Sequence, residues 1–294
     1  MQLQPPAEPA VKEMRRAVLA VAGAAVLWST GGLFIKLAPM PASAVAGGRS
    51  LIAGLFYLVV LRPNLRAARW TTAAAYAACI ITFVSATKLT TAANAIFLQY
   101  TGPAYVLVLS PFLLDEPFRP ADAICVVLSL AGMSLFFVGK VEAGQLAGNL
   151  IAIASGLFFA LAIVLLRREA KSGSGDAIPS TTLGNFLAAA LTAPWALQAG
   201  PGILSAAGVA VLLYLGVVQL GLAYLLFARG VRKVPAGEAS LISMLEPVLN
   251  PVWVLIGFGE RPGPWAVAGG AVVISAVVVR TLLPQPQRAS TTSV

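Results

Sequence analysis

Residues 236–260 read AGEASLISMLEPVLNPVWVLIGFGE. The stretch is long and apolar enough to cross a membrane, yet it carries polar groups and helix breakers in its middle: Glu246, Pro247, Asn250 and Pro251. In hydrocarbon, neither a charge nor a backbone carbonyl freed by proline finds water, so such groups persist only where they face protein or a wet cavity. The stretch therefore predicts a transmembrane helix that lines an internal cavity.

One face of this helix carries four polar or aromatic side chains, spaced three, four and three residues apart. They are Ser243, Glu246, Asn250 and Trp253. Because an α-helix repeats about every 3.6 residues, this spacing places them on a common face. We expect that face to point into the cavity.

A similar sequence occurs in the first half of the chain, where residues 92–116 read AANAIFLQYTGPAYVLVLSPFLLDE. In this alignment Pro247 falls on Pro103 and Glu260 on Glu116. Matched alanines mean little in an alanine-rich chain. The matched prolines and the matched glutamates, however, are separated by the same number of positions, which indicates an internal duplication.

The composition is that of a polytopic membrane protein. Of the 294 residues, 59% are hydrophobic and only 11% are charged, with a mean hydropathy of +0.86, whereas a soluble domain carries about 25% charged residues. Basic cytoplasmic loops account for the formal net charge of +9. Nucleic-acid binding is disfavoured, because no basic stripe alternates with exposed aromatic residues.

Several kinds of chemistry are disfavoured by what the chain lacks. There is no histidine, which removes His-type zinc sites and Ser-His triads, and no glycine-rich run ends in Gly-Lys-Ser/Thr, which argues against an ATP-driven pump. Cys79 and Cys125 lie in apolar stretches as packing residues. An intramembrane enzyme is disfavoured because Asp115, Asp122 and Asp176 lie at helix ends. We expect no metal, no cofactor and no catalytic residues.

Ten apolar runs follow one another, most of them near the ~20 residues that span ~30 Å of hydrocarbon as a helix. They cover residues 17–37, 43–61, 70–86, 91–114, 121–139, 146–166, 178–199, 206–228, 236–258 and 264–283. The expected fold class is an all-α membrane protein with ten transmembrane helices, flanked by a disordered segment at 1–15 and a tail at 284–294. A signal peptide is the competing interpretation of the first run, which is longer than a usual signal core.

Basic residues predict the orientation of these helices. With the N-terminus in the cytoplasm, most of the 20 lysines and arginines lie in cytoplasmic segments. The loops on the outside hold Lys36, Lys88, Lys140 and Arg261. The positive-inside rule therefore predicts that both termini are cytoplasmic.

The duplication and the helix count together predict inverted repeats. Residues 16–140 and 145–283 each contain five helices, an odd number, so the second half is inserted upside down relative to the first. Secondary transporters often follow this plan, with the substrate site near the midplane where the repeats meet.

Motifs in both halves match those of a known family. In the first half they are TTAANA at residues 90–95, Gln99, Pro103 and Glu116. In the second half they are EASL at 238–241, LEPV at 245–248 and GE at 259–260, and Arg49 also fits the pattern. Together they resemble the signatures of the drug/metabolite transporter superfamily, EamA type, over nearly the whole chain. The resemblance implies a ten-helix, proton- or gradient-linked exporter of the bacterial inner membrane, with aromatic amino acids first among its substrates.

Two charged residues are candidates for coupling and charge pairing. Glu246 is the only acidic residue near the centre of a predicted helix. It could carry a proton or pair with a substrate ammonium group, or it bonds to carbonyls freed by the neighbouring prolines. Arg49 could attract a substrate carboxylate, or it pairs with Glu246 or a helix end, or snorkels outwards.

The other candidates for substrate binding lie near the predicted helix breaks. Four could hydrogen-bond a polar substrate or form hydrogen bonds between helices: Asn94, Gln99, Ser243 and Asn250. Three could stack on an aromatic or cationic substrate or contact lipid: Trp28, Tyr100 and Trp253.

The sequence thus predicts a secondary transporter that works as a monomer by alternating access. Its first, third, fourth, sixth, eighth and ninth helices are expected to surround the cavity. The expected partners are a small amphipathic substrate and the lipid bilayer, with neither ATP nor nucleic acid. The alternatives are a drug, cation, nucleobase or sugar-conjugate carrier of the same fold, and a channel or lipid scramblase.

Overall fold

The computed structural model describes residues 8–136, 138, 145–172, 176–199, 205–258 and 263–282. Within these ranges all regular structure is helical. Outside these ranges lie the predicted tail at 284–294, the first seven residues, and Glu260, which aligns with Glu116. The expectation of disorder over residues 1–15 is wrong from Glu8 onward, where the first helix has already begun. Glu13 helps to hold this extension in place through an ion pair with Lys233 at 2.9 Å.

The helices follow one another along the whole described chain. They are α1 (Glu8–Trp28), α2 (Gly31–Leu37), α3 (Ala42–Val60), α4 (Trp70–Leu89), α5 (Ala92–Gln99), α6 (Gly102–Leu114), α7 (Pro120–Leu135), α8 (Leu146–Lys171), α9 (Ile178–Ala196), α10 (Ala206–Leu213), a π-helical segment (Tyr214–Leu222), α11 (Ala223–Gly230), α12 (Ala236–Ser243), α13 (Leu245–Phe258) and α14 (Pro264–Leu282). Short 3-10 turns lie at Leu65–Ala67 and Leu197–Ala199.

Seven helical stretches of the described chain are long and apolar enough to cross a membrane. They are Val11–Leu37, Ala42–Val60, Trp70–Leu89, Ala92–Leu114, Leu146–Lys171, Ala206–Gly230 and Pro264–Leu282, and Pro120–Leu135 is a shorter apolar helix. Each of the ten apolar runs of the sequence also contains helical structure within its described residues. The protein is therefore an all-helical, multi-pass membrane protein.

Two of the apolar runs are broken in the middle by proline. Pro103 lies in the first turn of α6, and Pro247 lies in the first turn of α13. Since proline has no N–H, it cannot bond to the carbonyl four residues earlier, and the preceding helix stops. α5 accordingly ends at Gln99 and α12 at Ser243, and each of these two helices is 8 residues long.

Side-chain contacts at the helix ends define two faces of the bundle. On the near face, where α1 begins, the Arg69 amide donates to Ser180 Oγ at 2.8 Å and joins the starts of α4 and α9. On the far face, Lys36 Nζ donates to the Thr90 carbonyl at 2.9 Å and joins the ends of α2 and α4. The cavity described below lies between these two faces.

α7 and α14 pack closely on each other because both carry glycine at the contact. A Cβ on Gly132 would stand 2.9 Å from the carbonyl oxygen of Gly269 and 3.0 Å from the side chain of Val272. Small residues at such crossings let helix backbones approach within a membrane, where van der Waals packing drives association.

We expect Gly132→Val to push α7 away from α14 and to lower the free energy of unfolding by about 1–3 kcal/mol. The control is Gly263→Val, because a Cβ on Gly263 meets no atom within 4 Å. The thermal unfolding midpoint of each purified variant in detergent checks this. Equal midpoints for the two variants would contradict the close packing.

Candidate functional site

A cavity lies at the centre of the bundle. It is lined by Trp28, Arg49, Cys79, Ile80, Phe83, Gln99, Phe159, Gln219, Leu220, Tyr224 and Glu246. These residues come from α1, α3, α4, α5, α8, the π-helical segment, α11 and α13. A water-sized sphere finds only about 30 Å³ of room in this cavity, far less than the ~300–1,000 Å³ typical of small-molecule sites, so a metabolite fits only after the surrounding helices move apart. The lining is mostly apolar and aromatic with a few polar groups, which is typical of a small-molecule site.

Glu246 is buried against the cavity, 5% exposed, in the first turn of α13. The Tyr100 hydroxyl lies 2.7 Å from Glu246 Oε2 and 2.7 Å from the Ser243 carbonyl oxygen. That carbonyl has no helical partner because residue 247 is a proline. A single hydroxyl proton therefore serves both the freed carbonyl of α12 and the carboxylate of α13.

Arg49 is fully buried in α3, only 1% exposed. Its Nη1 donates to Gln219 Oε1 at 2.9 Å, and it has no ion pair within the part of the chain that the structure describes. The alternatives of snorkelling outwards and of a direct pair with Glu246 are therefore wrong. The guanidinium charge lies at the cavity wall, beside an amide that cannot neutralise it.

Two residues that line the cavity each have one buried donor without a hydrogen-bond acceptor among the residues that the structure describes. The donors are Nε of Arg49 and Nε1 of Trp28. Buried polar atoms of this kind are nearly always paired, because leaving one unpaired costs about 1–3 kcal/mol. Two such donors lining one cavity indicate a site for a group that accepts hydrogen bonds.

Aromatic rings surround the Trp28 indole. Its ring centroid lies 4.8 Å from that of Tyr224, 5.2 Å from that of Phe227 and 6.1 Å from that of Phe159. Phe159 also lies 5.8 Å from Tyr100 in an edge-to-face arrangement. These distances are typical of aromatic pairs, so part of the cavity is walled by a rigid aromatic cluster.

The structure brings five of the predicted site residues to the cavity and its edge. Trp28, Gln99 and Glu246 line it together with Arg49, the predicted charge partner. Tyr100 reaches it through its contact with Glu246. Gln99 also links two helices, since its Nε2 donates to Ser155 Oγ of α8 at 2.9 Å.

Four predicted residues lie away from the cavity wall. Asn94 Nδ2 contacts Thr90 Oγ1 at 3.3 Å near the start of α5, and Ser243 Oγ donates to a carbonyl of its own helix. Trp253 Nε1 donates to Ser29 Oγ at 2.6 Å, at the break between α1 and α2. Asn250 Nδ2 lies close to Gly32.

The predicted common face does not include Ser243. Ser243 belongs to α12, whereas Glu246, Asn250 and Trp253 belong to α13. Because α12 ends at Ser243 and α13 begins at Leu245, the spacing of three, four and three does not describe one continuous helix.

Several lining residues were not anticipated from the sequence. Gln219 is the most informative, because an amide within the apolar run 206–228 is costly unless it has a partner. Phe159 and Tyr224 carried no signal beyond their aromatic character. They reach the cavity only because α8 packs against α4 and α11 packs against α1.

A second polar cluster closes the bundle at the near face. Glu116, just beyond α6, accepts from Arg167 Nε at 2.9 Å and from the Ala236 amide at 3.0 Å. Lys171 Nζ lies 3.7 Å from the same carboxylate. Arg167 also donates to the Val231 carbonyl at 2.6 Å. One carboxylate thus joins the ends of α6 and α8 to the start of α12.

Known proteins resemble this chain over most of its length. An uncharacterized transporter of Bacillus subtilis, YwfM, is 28% identical over 279 residues, 90% of this chain and 93% of the relative. The aromatic amino acid exporter YddG of Ancylobacter novellus is 26% identical over 212 residues, 68% of this chain and 71% of the relative. A solved crystal structure superposes with a TM-score of 0.74 at 21% identity, over 90% of this chain and 96% of that one.

A family model also matches most of the chain. The model of the EamA-like transporter family matches residues 15–138 and again residues 146–282. These two ranges include almost every helix described above. The chain therefore belongs to the EamA-like transporter family, whose members are transporters and not enzymes.

Proposed function

We propose that the protein is a secondary-active exporter of small amphipathic metabolites, with aromatic amino acids as the first candidates. One observation carries the proposal: a single cavity holds a buried carboxylate, Glu246, and two buried donors without acceptors, on Arg49 and Trp28. An amino acid offers the complement, an ammonium group for the carboxylate and a carboxylate for the donors. The aromatic cluster around Trp28 suits an aromatic side chain.

Each polar group of the cavity has a distinct role in this proposal. Glu246 receives either the substrate ammonium group or a coupling proton. Arg49 Nε and Trp28 Nε1 bind the substrate carboxylate, which relieves two unpaired donors. The similarity to an aromatic amino acid exporter at 26% identity supports the same substrate class.

The proposed architecture has ten spans in two inverted halves, residues 16–140 and 145–283. The double match of the family model supports this division. α5 and α12 support it too, because both are 8 residues long, both stop four residues before a proline, and their sequences align without gaps. Both termini are proposed to lie in the cytoplasm of a bacterial cell, with the chain in its inner membrane as a monomer that uses an ion gradient, not ATP.

Alternating access requires the near face to open, and the cluster at Glu116 opposes that step. All residues of α12 are buried, and Glu116 fixes the first amide of α12 to Arg167 of α8. Opening toward the near face separates these groups and hydrates them. The cluster is therefore proposed to be the latch of the cytoplasmic gate.

The Tyr100 hydroxyl offers a link between the cavity and α12. When Glu246 is charged and has no other partner, the single Tyr100 proton favours the carboxylate over the Ser243 carbonyl. When a coupling proton or a substrate ammonium group neutralises Glu246, that preference falls. The Tyr100 hydroxyl can then donate to the Ser243 carbonyl of α12. Occupancy of the site thereby changes the bonding at the joint between α12 and α13.

A carrier of organic cations is the second candidate. The carboxylate of Glu246 together with the aromatic cluster favours it, because such sites bind cations through charge and ring quadrupoles. It leaves the unpaired donors of Arg49 and Trp28 without an explanation. The donors therefore favour the amino acid.

Reconstituted protein should take up radiolabelled phenylalanine by counterflow, and excess tryptophan should compete. We expect Glu246→Gln to reduce the uptake more than tenfold with the protein still folded, because the variant cannot pair with the ammonium group or carry a proton. Size-exclusion profiles of the variant check its folding. Uptake no greater than in empty liposomes would remove the amino acid hypothesis, and undiminished uptake by the variant would remove the role of Glu246.

Trp28→Phe separates the two candidate substrate classes. The variant keeps an aromatic ring and loses one donor, so the affinity for phenylalanine should fall roughly tenfold, the usual worth of a hydrogen bond to a charged group. The affinity for phenethylamine, which has no carboxylate, should stay the same. Trp253→Phe is the matched control, since it removes an indole donor that bonds to Ser29 outside the cavity wall. A parallel loss for both ligands would favour the cation carrier.

Glu116→Gln should weaken the latch. The amide can still accept from Ala236 but cannot neutralise Arg167, so the near-face-open state should become roughly tenfold more populated. The rate at which a membrane-impermeant thiol reagent labels a cysteine placed at Ser240, buried in α12, measures that population. Glu13→Gln is the control, since its ion pair lies on the same face but both side chains are more than half exposed. Equal labelling in the two variants would exclude the latch.

A further inference from the structure

A second cavity lies at the near face, away from the central site. A water-sized sphere finds about 240 Å³ of room in it, and it lies between the ends of α3 and α11 and the start of α9. Its lining residues are Leu61, Pro63, Asp176, Ile178, Leu225, Ala228, Arg229 and Arg232. None of them lines the central cavity, so this cavity has no part in the transport site described above.

The floor of this cavity is apolar and its polar groups are satisfied. Ile178 and Ala228 are buried together with Tyr57, and Leu61 and Leu225 pack against them. The Tyr57 hydroxyl donates to the Gly221 carbonyl at 2.7 Å. The floor therefore offers contact surface to an apolar group and no hydrogen bond.

The rim of the cavity carries the charge. Arg229 and Arg232 are both exposed, and Arg229 forms no ion pair with any residue that the structure describes. The one carboxylate of the rim, Asp176, accepts the Ile178 amide at 3.0 Å and caps the start of α9. Arg62, next to two lining residues, is held at a φ of 49°, a left-handed conformation uncommon for residues other than glycine. The rim thus has an excess of positive charge.

We infer that this cavity binds the headgroup of an anionic phospholipid. Arginine suits a phosphate because its planar guanidinium offers several donors to the phosphate oxygens. Basic pockets between helices at a membrane surface bind anionic headgroups in this way. The apolar floor suits the glycerol backbone and the first carbons of the acyl chains.

The surroundings of the cavity favour a lipid over a soluble phosphate. Val59 and Val60, at the end of α3 beside the cavity, are 72% and 58% exposed. Exposed apolar residues on a transmembrane helix face the acyl chains of the bilayer. A lipid can place its phosphate on the arginines and its chains along this surface, whereas a soluble phosphate ester leaves the apolar floor in contact with water.

The test is native mass spectrometry of the full chain released from neutral detergent. The chain is titrated with phosphatidylglycerol or with phosphatidylcholine of the same acyl chains. We expect one phosphatidylglycerol to bind in preference to phosphatidylcholine. The double variant Arg229→Gln, Arg232→Gln should bind it roughly 10–30-fold more weakly, as expected for two arginines at a membrane surface. Arg16→Gln with Arg168→Gln is the control, since both are exposed arginines outside the cavity.

Each outcome of this experiment is decisive. Preferential binding that is lost in the cavity variant and kept in the control supports the lipid site. Equal binding of the two lipids, or an equal loss in both double variants, overturns it. Displacement of the lipid by millimolar glycerol phosphate would identify a site for a soluble phosphate and would also overturn it. Thermal unfolding midpoints establish that the variants are folded, and binding retained by Arg229→Lys with Arg232→Lys would show that the charge is what matters.

Discussion

The hydroxyl of Tyr100 stabilises the break on which the central cavity depends. Proline at position 247 deprives the Ser243 carbonyl of its helical donor, so the carbonyl needs another partner inside the bundle. Tyr100, from the first half of the chain, lies 2.7 Å from this carbonyl and from the Glu246 carboxylate. The N-terminal end of α13 also favours the charge of Glu246, which lies in its first turn. The break can therefore exist inside the bundle because the other half of the chain supplies the missing donor.

The corresponding break in the first half is handled by close packing. Pro103 frees the Gln99 carbonyl in the same way, and here Gly156 of α8 lies so near that a Cβ would stand 2.7 Å from the carbonyl oxygen. The Gln99 side chain bonds to Ser155, the neighbour of that glycine. The Ser243 carbonyl in the second half thus lies beside a tyrosine hydroxyl and a carboxylate. The Gln99 carbonyl in the first half lies beside a glycine and an amide side chain. The two halves share a backbone plan but differ in chemistry, which places the only buried carboxylate of the central cavity on one side of it.

The sequence indicated which segments are helical and which two are broken by proline. It did not indicate which side chains contact one another. Pro103 and Pro247 indicated that each of these two apolar runs is broken in its middle, because proline acts on its own helix and needs no tertiary information. The common face of Ser243 and Trp253 failed at that same break, since a helical spacing holds only where the helix is continuous. Gln219 was missed because its partner Arg49 lies far away in the sequence, in another helix. Which polar residue meets which depends on how helices cross, and local patterns do not contain that information.

The balance of charge in the central cavity argues for the kind of substrate it holds. Glu246 and Arg49 both line it without forming an ion pair with each other. Two opposite charges kept apart in a low-dielectric interior attract strongly, and their separation costs free energy unless something between them supplies the complement of each. Water can do so in part, and a zwitterion does so fully with one molecule. A cation satisfies Glu246 and leaves Arg49 with only the Gln219 amide. A cavity lined by both groups and walled by aromatic rings therefore favours the proposed aromatic amino acid over an organic cation.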